Sequence, residues 1–97
     1  MAAGNCILVK TSEMAPFSAK VVEKLFKKYL NQDAYVCLEG QVQTAIQITN
    51  SLFDQFVYTG STQKGKLVAQ AAAKNLIPCI LELGGKSPMV IDESADI

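Results

Sequence analysis

The chain has 97 residues, of which 49% are apolar, with nine lysines balancing nine acidic residues and no His, Trp or Arg. That length allows about one small domain burying roughly 60–65% of its unfolded surface, and the apolar share excludes a disordered chain. Without His, Ser-His and Cys-His nucleophile pairs and His-ligated metals are excluded. The lysines scatter from Lys10 to Lys86, so no basic patch recommends nucleic acid as a partner.

Cys6-Ile7-Leu8-Val9 reads as a first strand that stops at Lys10. From Pro16 to Leu30, Phe17, Val21, Val22, Leu25, Phe26 and Tyr29 recur at helical spacing, with Lys20, Glu23, Lys24, Lys27 and Lys28 opposite. This predicts an amphipathic helix, opened by a proline whose missing N–H would have had no partner. Ala34 to Leu38 reads as a buried strand ended by Glu39-Gly40, and a weaker helix is expected from Val42 to Leu52. Phe56-Val57-Tyr58 is a third strand, Lys64 to Leu76 an Ala- and Leu-rich helix, and Pro78 to Leu83 a fourth strand. Pro88-Met89-Val90-Ile91 is a candidate fifth.

Near-continuous apolar strands alternating with amphipathic helices predict an α/β fold. The expected sheet is parallel and Rossmann-like, with helices on both faces, four to five strands and three helices. Both ends read as cut. The first strand starts close to Met1, and Asp92-Glu93-Ser94-Ala95-Asp96 has the residues of a helix start that Ile97 terminates. Residues 1–97 are therefore expected to be part of a longer protein. Cys6, Cys37 and Cys79 are odd in number and form no C-x-x-C, which favours buried reduced thiols over disulfides or a metal site. No apolar run is long enough for a membrane span and no secretory signal is visible, so a cytoplasmic location is expected.

Three places carry candidate chemistry. Thr59-Gly60-Ser61-Thr62-Gln63-Lys64-Gly65-Lys66 lies between a strand and a helix. Its glycines let backbone N–H groups approach an anion, and Ser61 can cap the helix or donate to a phosphate. The string satisfies G-x-x-x-x-G-K, but Leu67 replaces the Ser or Thr that would hold Mg²⁺, and an ordinary Gly-containing turn fits as well. Glu82 is a carboxylate in an apolar strand, at the end where open α/β sheets place ligands. It suits a general base or a salt bridge with Lys86. Lys10-Thr11-Ser12-Glu13 follows a strand and could grip a ribose diol, or be solvated turn charges. Cys79 and Glu82, three apart on a strand, point to opposite faces and cannot act as a pair.

Leu81-Glu82-Leu83-Gly84-Gly85-Lys86-Ser87-Pro88 resembles the glutamate active-site signature of the aldehyde dehydrogenase superfamily. Tyr58-Thr59-Gly60-Ser61-Thr62 with Gly65, Ala3-Gly4-Asn5 and Lys10-Thr11-Ser12-Glu13 fall in that family's order across essentially all 97 residues. Tyr58 and Ala71-Ala72-Ala73-Lys74-Asn75-Leu76 are most similar to the class 3 and fatty-aldehyde branch.

The resemblance implies that residues 1–97 are part of an NAD(P)-binding domain, with NAD as cofactor and NADP as an alternative. Glu82 would be the base that activates water against a thioester, and Leu83 would offer its backbone carbonyl to the nicotinamide amide. Gly60, Ser61 and Gly65 would form the pyrophosphate turn. Lys10 and Glu13 would hold the adenosine ribose, Gly40 would line the adenine side, and the Glu82 carboxylate would face this dinucleotide cradle. No metal is implied. The full-length enzyme would act on an aldehyde, as a homodimer.

The family's nucleophilic Cys lies a few dozen residues beyond the Glu, whereas 15 residues follow Glu82 here, so the chain alone is expected to be inactive. Thr11 stands where Pro is usual, and Gln63-Lys64 replaces a small or apolar pair. The alternatives are a stand-alone nucleotide-binding module and a protein that docks on a relative through a free sheet edge.

Overall fold

The computed structural model describes residues 1–96 and divides the chain into two compact units, Met1–Ser51 and the remainder from Leu52. The first contains β1 (Ile7–Lys10), α1 (Pro16–Tyr29), β2 (Tyr35–Leu38) and α2 (Val42–Thr49). The second contains β3 (Phe56–Gly60), α3 (Thr62–Lys74) and β4 (Cys79–Leu83).

Each unit is built on one parallel strand pair, as a strand–helix–strand crossover requires. In the first, Ile7 pairs with Tyr35 and Lys10 with Leu38. In the second, Phe56 pairs with Cys79 and Gly60 with Leu83. The α/β class with three helices and four parallel strands is as the residue pattern predicts, although the strands form two two-stranded sheets. Residues 88–91 form no strand. After them Asp92 makes a tight turn, its carboxylate accepting from the Ser94 N–H at 3.0 Å and hydroxyl at 2.7 Å. Those two hydrogen bonds, the hydroxyl one first, hold the Asp92 carboxyl below the usual carboxylate range.

Helix α1 starts at Pro16 as expected, with Lys27 and Lys28 in its last turn, where cations suit the dipole. Its inward residue is Ala19, 5% exposed, while Phe17 is 83% exposed and Val21 and Tyr29 are also on the surface. The predicted apolar face is thus split: Val22 and Phe26 are half-buried and the other stripe is bare. A short helix on a two-stranded sheet has too little surface beneath it to cover a stripe that wide. The core of the second unit is Phe56, Ala72 and Ile77, with Phe53, Val68 and Cys79 packed against it. The rings of Phe53 and Phe56 meet tilted, 5.5 Å apart, a favourable aromatic geometry.

All three cysteines are free. Cys37 is buried and Cys79 partly so, but Cys6 is exposed because β1 begins one residue later than its apolar run. Burial pushes the Cys37 thiol up from its ordinary pKa.

Candidate functional site

In parallel strands, loops leaving the C-terminal ends emerge side by side. In the first unit the segment after β1 meets the segment after β2. The Thr11 N–H donates to the Leu38 carbonyl at 3.1 Å and the Thr11 hydroxyl to the same oxygen at 3.3 Å. A cleft of about 320 Å³ opens between residues 11–13 and 39–41, with Pro16 and Ala19 of α1 completing its lining. Glu13 and Gly40 both border it. The Lys10 ammonium donates to a Glu13 carboxylate oxygen at 2.9 Å and to the Thr11 carbonyl at 2.8 Å.

Lys10 and Glu13, three apart in the sequence, are therefore one ion pair rather than two solvated charges. The Lys10 side chain is 16% exposed and the Glu13 side chain 32%, so the pair is partly screened and its worth is positional more than energetic. Gly40 is required by packing: a Cβ there would strike the Thr44 hydroxyl in the first turn of α2. Glu39 and Gln41 were not site candidates in the sequence, whereas Thr11 lies within the Lys10–Glu13 stretch that was. Their signal was register, since the partners of β1 and β2 set which loop residues meet.

In the second unit α3 begins at Thr62, two residues earlier than the Ala-rich composition suggests, because Ser61 caps it. The Ser61 hydroxyl oxygen accepts from the Lys64 N–H at 3.4 Å, which leaves the hydroxyl proton available to donate. The predicted loop from Gly60 to Gly65 is thus the strand end, a cap and the first helical turn. No acidic residue occupies that turn, so the helix carries no carboxylate of its own at its positive dipole end. Gly65 is buried, and a Cβ there would come within 2.6 Å of a Leu83 methyl carbon. Helix α3 consequently packs close to the end of β4.

That contact orients β4. Leu83 lies on the face covered by α3, as does Cys79 in the core, and side chains alternate along a strand. Glu82 therefore projects from the opposite face, where it is exposed. Two expectations change. The carboxylate is not buried, and it does not share a face with α3 and its capping Ser61. The physical reason is parity: Gly65 admits the Leu83 side chain, and the preceding residue must point away. Among the described residues, Glu82 makes no ion pair with Lys86. Cys79 and Glu82 lie on opposite faces, as their spacing predicts.

The whole chain, residues 1–97, matches the family model described as aldehyde dehydrogenase family. It is 47% identical over all of its length to aldehyde dehydrogenase family 3 member A2 of Macaca fascicularis. It is also 41% identical to the dimeric NADP-preferring aldehyde dehydrogenase of Rattus norvegicus. Among solved structures, the substrate-bound state of Staphylococcus aureus AldH superposes with a TM-score of 0.87 at 39% identity, over 98% of this chain and 21% of that one. The chain spans about a fifth of the length of the curated relatives it matches, 20% and 21% for the two named here. With family model, relatives and fold in agreement, the chain belongs to the aldehyde dehydrogenase family.

Proposed function

We propose that this chain is the cofactor-binding part of an NAD(P)-dependent aldehyde dehydrogenase that converts an aldehyde to a carboxylic acid. The observation that carries the reading is the Lys10–Glu13 ion pair at a cleft formed where β1 and β2 end. A carboxylate fixed by a neighbouring ammonium is an acceptor pair for the two hydroxyls of a ribose. Gly40 closes the adenine side.

The residues present also fit a dinucleotide diphosphate. A helix start presents N–H groups toward an anion, and the Ser61 hydroxyl that caps α3 can donate to one. Leu83, ending β4, offers its backbone carbonyl to the nicotinamide amide. A bound NAD would supply the hydride acceptor for oxidation of the aldehyde carbon. Glu82 takes a proton from water attacking an acyl group, and its position on the face away from α3 requires that group to approach there. Cys79, turned away from Glu82, is not the nucleophile. NAD is the favoured cofactor, because the Glu13 carboxylate would repel a 2′-phosphate, with NADP as the alternative. The native enzyme is read as a homodimer of the cytoplasm. No described helix is long and apolar enough to cross a membrane.

Calorimetric titration of the 97-residue chain with NAD and with ATP plus Mg²⁺ tests this. Binding of NAD, weakened about tenfold by Glu13→Gln through loss of a charge-assisted acceptor, is the expected result. A preference for ATP that depends on Mg²⁺ would overturn it in favour of a stand-alone nucleotide module.

A further inference from the structure

We propose that the outer face of α1 docks on an anionic lipid surface, the helix lying along the bilayer rather than crossing it. Phe17, Val21, Leu25 and Tyr29 follow one another four residues apart, so they form one row along the helix, roughly 20 Å long. All four are exposed, whereas Ala19 of the same helix is buried. Lys20, Lys24 and Lys28 form a second exposed row beside the first, each three residues beyond one of its members. Folding thus sets lysines next to the bare apolar row. Glu23, the one acid of α1, is held by Lys27 at 2.7 Å. Among the described residues Lys20, Lys24 and Lys28 have no ion-pair partner. The Lys28 ammonium lies 5.0 Å from the centre of the Tyr29 ring.

Helix stability does not call for this arrangement, because like charges four residues apart repel. The choice of partner follows from charge and polarity together. A protein lying over the apolar row would strip water from three neighbouring ammoniums, a cost that acids would have to offset. Nucleic acid would suit the lysines but not Phe17, Val21 and Leu25. An anionic bilayer suits both rows. The apolar side chains, with an aromatic ring at each end, enter the boundary between headgroups and acyl chains, while the lysine stems carry their charges to the lipid phosphates. The cleft beside Gly40 uses other positions of α1, Pro16 and Ala19, so the docking face stands apart from the nucleotide reading.

The test is co-sedimentation of the 97-residue chain with phosphatidylcholine vesicles, with and without phosphatidylserine. Binding should require phosphatidylserine and fall as salt is raised. Lys24→Gln should weaken it about fivefold and Phe17→Ser about tenfold. Both side chains are exposed, so circular dichroism and Tm should not change. Absence of binding overturns the proposal, and equal binding without phosphatidylserine overturns the anionic partner. Two variants that bind as the wild type does place the contact elsewhere and overturn it too. Sedimentation of the wild type without vesicles, abolished by Phe17→Ser, overturns it in favour of a second copy of the chain covering the row.

Discussion

The two units reach the same strand–helix–strand plan by different means. The first buries only Ala19 and Cys37, whereas the second buries Phe56, Ala72 and Ile77. The strand ends of the first unit are organised by polar contacts: the Lys10–Glu13 pair and the Thr11 bonds to the Leu38 carbonyl. The second unit's end is organised by close packing, with Gly65 against Leu83 and Gly60 under Tyr58. The difference teaches that a change of volume should damage the second unit, and a change of charge or hydrogen bonding the first.

The largest expected effect is that of Phe56→Ala. Removing a ring from a core of three residues should cost about 3 kcal/mol, read by chemical denaturation. Loss of amide-exchange protection should concentrate in β3, α3 and β4. Equal loss in β1 and β2 would break the contrast between the units.

Next is Gly65→Val. Its branched side chain would meet the Leu83 methyls and force α3 off β4, costing about 2 kcal/mol by overpacking. A variant as stable as the wild type would show that α3 is not pinned at that point.

The smallest effect is a pH dependence in the first unit. Burial raises the Cys37 thiol in the folded state, so the unfolded chain loses its proton at lower pH than the folded one. The stabilisation is therefore complete below the ordinary thiol pKa and fades as pH climbs through the raised folded value. Cys37→Ala should flatten the alkaline part of a stability–pH curve. In the wild type, Cys6 should react with a thiol reagent well before Cys37, and simultaneous reaction would show that β2 is not protected.

Much of the fold was legible because it rests on local physics. Pro16 marks the start of α1, the apolar runs from Ile7, Tyr35, Phe56 and Cys79 are strands, and Gly and polar residues interrupt them at the expected places. Spacing along a strand also sufficed to separate Cys79 from Glu82. Helix ends were less legible: α3 starts at Thr62 because of a single cap, which composition does not weigh.

By itself, then, the sequence determined the order and type of the elements, the family, and the residues that gather at strand ends, because periodicity, caps and short motifs are written within a few neighbouring positions. Only the tertiary structure decided which of those residues meet. Parallel register brought Thr11 to Leu38 and opened the cleft beside Gly40, and the loop after β1 folded Glu13 onto Lys10. The packing of Gly65 on Leu83 turned Glu82 to the other face, and the ring of Tyr58 came to rest over Gly60. Register and close packing join residues well apart in the sequence, such as Thr11 with Leu38 and Gly65 with Leu83, so no local pattern could have settled them.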